Sequence, residues 1–278
     1  MKAPNFQYIR AKTVEEVCVL LAEHEDAQVL AGGQSLVAAM NMRLASPDVL
    51  IDINHIEGLS DIFLSKSDTL IIGPTARHIQ VRTSPIISQY APLLTQALEY
   101  VAHPSIQNRG THCGSIALAD PAAEMPACAL ALGARMELQS IRGKRMVAAE
   151  DFFLGLYETA RQPDELLLGV HYPLTSNRLF GFGEITPRHG DFPQVGLAVN
   201  VSQTRDHWED LRIVVFACEP RPRLLQDVAA VAHGHVANSD FFSELADVVA
   251  TKILPMDHHE VRRYQVRGLA QQVFEVTA

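Results

Sequence analysis

The sequence predicts an α+β fold in two units, the second starting after Pro173. Three observations carry this. Strand-like and helix-like apolar spacing alternates from Phe6 to Ile53. Two hairpin signals, at Ser65–Asp68 and Arg142–Gly143, then separate short apolar runs. After Pro173, three strand-like runs precede three helix-like ones, the order of a small α+β unit with a three-stranded antiparallel sheet.

Element by element, Phe6 to Arg10 alternates like a short strand. Thr13-Val14-Glu15-Glu16 is a capping box, opening a helix with Val14, Val17, Leu20 and Leu21 on one face. Gln28 to Ala31 reads as a strand running into Gly32-Gly33, and Ser35 is placed to cap a helix through Leu44. Val49 to Ile53 is a further strand. Leu64 and Leu70–Gly73 flank the first hairpin turn. Pro92 to Val101 and Met125 to Gly133 read as helices, the second ended by its glycine. Arg135–Ser140 and Lys144–Ala148 flank the second hairpin, and Leu166–Tyr172 closes the first unit. Beyond the break at 173–178 come strands at Phe180–Ile185, Gly196–Ser202 and Leu211–Ala217. Helices follow near Leu224–His233, Ser239–Leu254 and His258–Val276.

The chain has 278 residues and 47% hydrophobic content, enough for more than one small core. Its net charge is −9 with no basic run, so nucleic acid is a poor partner. No apolar stretch reaches membrane-spanning length, and Met1-Lys2-Ala3-Pro4-Asn5 lacks the apolar region of a secretion signal. Cysteines at 18, 113, 128 and 218 form no CxxC pair, so no local iron–sulfur or thiolate zinc site is expected. Scattered thiols of this kind suit a reducing cytoplasm. His258, His259 and Glu260 are adjacent, hence splayed on a helix, and read as a solvated helix start. Glu150-Asp151 and Asp164-Glu165 read as solvated turns.

Two segments carry chemistry. The first is Ala31-Gly32-Gly33-Gln34-Ser35-Leu36. Glycines after a strand let backbone amides approach an anion, and a helix start favours negative charge. An ordinary glycine-rich turn meets the same pattern. The second runs from His103 through Thr111, His112, Cys113, Gly114 and Ser115 to Asp120 and Glu124. Its small residues permit close approach, its hydroxyls suit phosphate oxygens, and its carboxylates suit ribityl or ribose hydroxyls; a long packed loop would look alike. Neither GxGxxG nor GxxxxGK[ST] occurs, so any dinucleotide is held in neither the Rossmann nor the P-loop manner. There is no GxSxG elbow, and His112 beside Cys113 is not assigned as base and nucleophile because neighbours rarely point the same way.

Taken together, AGGQSL from Ala31 and NRGTxxGSxAxADPAAExP from Asn108 resemble the medium, FAD-binding subunit of the molybdenum hydroxylases. Phe152-Phe153-Leu154-Gly155, Thr159, Asp164-Glu165-Leu166-Leu167, Pro173 and Arg188–Phe192 extend the resemblance over nearly the whole chain. It implies a vanillyl-alcohol-oxidase-type (PCMH-type) FAD domain over residues 1–174, with subdomains of about 1–55 and 56–174. A small α+β domain over 175–278 follows. By the same resemblance, Ala31, Gly32, Gly33, Gln34, Ser35 and Leu36 wrap the FAD pyrophosphate, and Thr111, His112, Cys113, Gly114 and Ser115 form a second phosphate-binding turn. Asp120 and Glu124 match positions facing the ribityl and ribose hydroxyls. Leu167 matches one whose backbone lies by the isoalloxazine ring. Cys113 departs from the family's usual glycine and would be strained at positive φ. Leu118 stands where histidine is common, and Glu184 where xanthine dehydrogenase has a basic residue.

The resemblance further implies an oxidoreductase component with FAD as its only redox group and no metal. Large molybdopterin and small 2Fe–2S subunits would be its partners, as a dimer of heterotrimers, with an external electron acceptor. A flavin-free assembly subunit and a stand-alone flavin oxidoreductase are the alternatives. Gly33→Val is expected to release FAD.

Overall fold

A computed structural model describes residues 2–278. The first sheet comprises β1 (Gln7–Arg10), β2 (Gln28–Leu30) and β3 (Val49–Asp52), with α1 (Val14–Glu23) and α2 (Leu36–Asn41) as connections. It is parallel, in the order β1-β3-β2. Central β3 is buried at every position, as a strand covered on both faces must be. Thr13 caps α1 by accepting from the Glu16 amide at 3.1 Å. Ser35 differs from expectation: it has helical backbone angles and makes no side-chain cap, and α2 stops at Asn41, short of Leu44.

The second sheet is antiparallel, ordered β4-β5-β10-β6-β7. Its strands are β4 (Ile62–Leu64), β5 (Thr69–Ile72), β6 (Arg135–Ser140), β7 (Gly143–Ala148) and β10 (Leu166–Pro173). Both hairpins form, pairing Leu64 with Leu70 and Ser140 with Gly143. Between β5 and β6 lie α3 (His78–Thr83), α4 (Pro85–Tyr90), α5 (Pro92–Leu98), α6 (Pro104–Gln107), α7 (His112–Leu118) and α8 (Glu124–Ala131). Every residue of α8 is buried. After β7 come α9 (Ala149–Phe152) and a small ribbon of β8 (Phe153–Gly155) and β9 (Glu158–Thr159). Asp164-Glu165 is not a solvated turn: Glu165 is buried, accepting from Arg145 Nε at 2.6 Å and Nη2 at 2.8 Å. Its pairing partner stands twenty positions earlier, so no local pattern announces it.

The third sheet holds β11 (Arg178–Ile185), β12 (Val195–Thr204) and β13 (His207–Phe216), antiparallel as expected. It has five strands rather than three. The two-residue strands β14 (Arg223–Leu224) and β15 (His235–Val236) pair with β13 on either side of α10 (Gln226–Ala232). Helices α11 (Ser239–Lys252) and α12 (His259–Thr277) cover one face, burying Leu197, Val199, Val201 and Val215. Alternate residues Ala198, Val214 and Phe216 enter the core around α8 on the other face. The sheet also closes the end of that helix. Asn200 Nδ2 and Arg212 Nε donate to the Ala131 carbonyl at 3.0 and 3.1 Å, and Arg212 Nη2 to that of Leu130 at 2.9 Å. A guanidinium there satisfies orphan carbonyls and complements the helix dipole.

Candidate functional site

The carboxyl ends of parallel strands gather ligand-binding loops in open α/β sheets. Here the Ala31–Leu36 segment leaves the end of β2, and Asn54 lies just past β3. Among the described residues the amides of Gly32 through Leu36 find no protein acceptor, and the segment is exposed or half-buried throughout. Gly33 adopts φ +70°, which needs glycine.

The second segment meets the first directly. A Cβ on Gly32 would lie 2.6 Å from the Arg109 carbonyl oxygen, 2.8 Å from Gly110 Cα and 3.0 Å from the Thr111 nitrogen. Two sequence motifs almost eighty residues apart are therefore in backbone contact. Thr111 starts α7 as its N-cap, its hydroxyl accepting from the Gly114 amide at 3.1 Å. A Cβ at Gly114 would strike that hydroxyl at 2.5 Å.

The expected turn at 111–115 is thus a helix start, and Cys113 is helical rather than strained at positive φ. The side chains of His112 and Cys113 point into the core. Cys113 Sγ donates to the carbonyls of Ile72 and Gly73 at 3.4 Å each, and burial pushes its thiol well above the ordinary range. His112 Nε2 lies 2.7 Å from the Tyr172 hydroxyl. Burial, then the nearby His78, lowers its pKa to about 3, so the ring is neutral. The His112 amide is also engaged, donating to the Ala76 carbonyl at 3.0 Å. Ser115 is half-buried.

At the far end of α7, about 10 Å away at 1.5 Å per residue, lies an acidic group. Ala119 takes φ +53°, turning the chain into Asp120. Asp120 Oδ1 accepts from the Ala122 amide at 2.9 Å, and Oδ2 accepts from the Tyr157 hydroxyl at 3.3 Å. Glu124 opens α8, and burial, followed by the Asp120 charge, raises its pKa to about 7. Burial and then Glu124 raise Glu184 to about 8. Glu184 as a residue is only half-buried, but both its oxygens are enclosed and unpaired; those atoms carry the charge and decide the titration. Leu167 is buried in β10 beside a register shift between Leu167 and Gly169. It belongs to the same core as Cys113.

Asn54 and Arg77 join the site without any motif to mark them, beside Arg109 of the second motif. Asn54 Nδ2 donates to the Ala31 carbonyl at 2.9 Å, and Arg77 Nη2 to Asn54 Oδ1 at 2.5 Å. Among the described residues no cluster of His, Cys, Asp and Glu could hold a metal, and no helix is long and apolar enough to cross a membrane.

A strand-end loop of open amides, pressed on a second helix start and followed by a carboxylate group, suits a ligand carrying anionic and hydroxyl groups, held in neither the Rossmann nor the P-loop manner. The family described as the FAD binding domain in molybdopterin dehydrogenase matches residues 4–175, and this chain belongs to it. It is an oxidoreductase component of the molybdenum hydroxylase class. It is 35% identical to the nicotine 6-hydroxylase medium subunit of Paenarthrobacter nicotinovorans, over 100% of this chain and 97% of that one. Its fold matches quinoline 2-oxidoreductase from Pseudomonas putida 86 with a TM-score of 0.95 and 32% identity, covering 100% of this chain and 98% of that chain. It also matches the carbon monoxide dehydrogenase of Hydrogenophaga pseudoflava, with a TM-score of 0.95 and 28% identity over 100% and 98% of the two chains.

Proposed function

We propose that this chain relays electrons through FAD within a molybdenum hydroxylase complex and does not itself hydroxylate the organic substrate. The observation that carries the reading is the contact of Gly32 with Arg109–Thr111, which sets the second segment against the open amides of the first. In this reading Ala31–Leu36 and the turn at 111–115 hold the diphosphate of FAD, the second through the amides of Thr111 and Cys113, because those of His112, Gly114 and Ser115 donate within the protein. Asp120 and Glu124 accept from ribityl or ribose hydroxyls, and the Leu167 backbone lies by the isoalloxazine. The FAD domain spans 1–174, in subdomains of about 1–55 and 56–174, and residues 175–278 form the C-terminal domain.

When bound, FAD takes up electrons singly or in pairs and so links one-electron and two-electron carriers. The protein's part is to fix the dinucleotide with backbone donors and to enclose the groups around it. Electrons would arrive from 2Fe–2S clusters of a small subunit, while a large molybdopterin subunit hydroxylates the substrate and an external acceptor drains the flavin. Two copies of each subunit would make the assembly. The four cysteines, all buried and unpaired, suit the cytoplasm.

Two measurements test this. The purified chain, reconstituted with FAD, should show flavin absorption bands that persist through gel filtration; their absence sinks the cofactor assignment. A tagged chain in its native host should copurify with molybdenum and iron, and isolation of the chain alone sinks the complex.

A further inference from the structure

A hydrogen-bonded clamp joins the two segments from behind. Asn54 takes its backbone turn from Asp52, whose Oδ1 accepts from the Asn54 amide at 2.8 Å and from Nδ2 at 2.6 Å. Asp52 is buried, and its second oxygen accepts from the Tyr8 hydroxyl. Held this way, Asn54 Nδ2 reaches the Ala31 carbonyl at 2.9 Å and the Leu30 carbonyl at 3.3 Å. It thereby grips the root of the first segment. Its Oδ1 accepts from Arg77 Nη2 at 2.5 Å.

The other arm of the Arg77 fork, Nη1, donates to the Arg109 carbonyl. This is the same oxygen against which Gly32 packs. Arg77 itself is fixed by its backbone: its amide donates to Gln80 Oε1 at 2.8 Å, and its neighbours bond across to the second segment. His78 N donates to the Gly110 carbonyl at 2.9 Å and His112 N to the Ala76 carbonyl at 3.0 Å. One planar guanidinium thus holds a group bound to segment 31–36 with one nitrogen and segment 109–115 with the other. A lysine ammonium lacks that two-pronged geometry.

The positive charges of the clamp are not neutralised within it. Among the described residues, neither Arg77 nor Arg109 has a carboxylate within 4.0 Å. Burial, and then the Arg109 charge, lowers the Arg77 guanidinium from its ordinary value. An anion against the free amides of 32–36 would relieve that repulsion.

We propose that Asn54 and Arg77 are positioning residues for a diphosphate-bearing dinucleotide, locking the two binding segments at one spacing and adding, with Arg109, the positive field that the diphosphate meets. The role rests on the FAD reading above.

The test uses the full chain, FAD as probe, and the variants Asn54→Ala, Arg77→Gln, Arg77→Lys and the Asn54→Ala/Arg77→Gln double variant. Flavin fluorescence quenching gives the FAD Kd, and thermal melting of the cofactor-free chain reports the fold. Loss of a charge-assisted bond corresponds to about 10- to 100-fold in affinity. Each single variant should weaken FAD by that factor while still melting cooperatively. The double variant should be no weaker than the worse single one, because either change opens the same clamp. Arg77→Lys should lose most of the same factor while keeping the salt dependence that Arg77→Gln reduces. Where Arg77→Gln does not melt cooperatively, Arg77→Lys and Asn54→Ala are read in its place. Wild-type Kd in the single variants, or losses that add in the double, overturns the clamp alone. No FAD binding by the unmutated chain overturns the clamp together with the cofactor reading.

Discussion

Replacing Gly32 with alanine is the sharpest probe of how the two segments meet. The new Cβ would lie 2.6 Å from the Arg109 oxygen and 2.8 Å from Gly110 Cα, and both are backbone atoms. Separations under 3.0 Å are essentially never adopted, so the segments must part by at least 0.4 Å at the carbonyl, from 2.6 to 3.0 Å. Overpacking of this kind costs about 1–3 kcal/mol. In the cofactor-free variant the segments part by that distance against the Asn54–Arg77 clamp. Binding FAD requires them back at one spacing, so the cost falls on affinity, as a roughly 5- to 150-fold rise in Kd. Gly33 offers the contrast. Its neighbours are the side-chain ends Leu30 Cδ1 at 3.0 Å and Val37 Cγ2 at 3.2 Å, which can yield, but its φ of +70° cannot suit alanine. Gly33→Ala therefore strains the loop itself by about 1–2 kcal/mol, while Gly33→Val adds a clash and should release FAD. The assay is fluorescence titration with FAD, at matched far-ultraviolet circular dichroism. If Gly32→Ala binds FAD as tightly as the unmutated chain, the contact does not set the cradle and the reasoning fails.

Other outcomes follow from the same geometry. The cofactor-free chain should be most stable near mildly acidic pH. The raised carboxyls Glu124 (about 7) and Glu184 (about 8) contribute stability below the ordinary value of 4.5, which is lost as pH climbs through 7 and 8. The lowered His78 (about 4) and His112 (about 3) contribute above 6.5, and that is lost as pH falls toward those values. The melting temperature should drop by at least about 2–4 °C between pH 6.5 and 8.5, and Glu184→Gln should flatten that arm; a level profile in the unmutated chain would refute it. Thr111→Val removes the cap on α7 and should cost about 1 kcal/mol, read by denaturant unfolding. No change in midpoint would mean that the Gly114 amide finds another partner.

Long, periodic segments are readable from sequence: α1, α11, α12 and the longer strands of all three sheets follow from apolar spacing alone. The short helices α3, α4, α6, α7 and α9 are not. Helices α4, α5 and α6 each begin with proline at the first helical position, a usable signal, but only Pro92 prompted a helix. Four to seven residues are too few for a period to declare itself. Helix α7 was hidden by its composition, since Thr111 and Gly114 read equally as turn residues until the threonine is seen to cap. The short strands β14 and β15 carry two residues each, and only pairing with β13 makes them strands. Within the site, glycine and carboxylate positions could be named because their residue types are restrictive. Asn54 and Arg77 could not, since their partners stand 23 and 32 positions away and no local spacing encodes such bonds.

Helix α8 has its first residue in the acidic group and its last carbonyls in the grip of Asn200 and Arg212. Consider a gene split after codon 175, where the family match ends. The amino-terminal product would possess each segment assigned to the dinucleotide, yet the Ala131 carbonyl would lose its donors and that of Leu130 its guanidinium. The apolar surface that packs on Ala198, Val214 and Phe216 would meet water. Neither half would be a finished protein. Expressed together, the halves should find one another through that helix, which makes α8 an internal heterodimer seam within a single polypeptide.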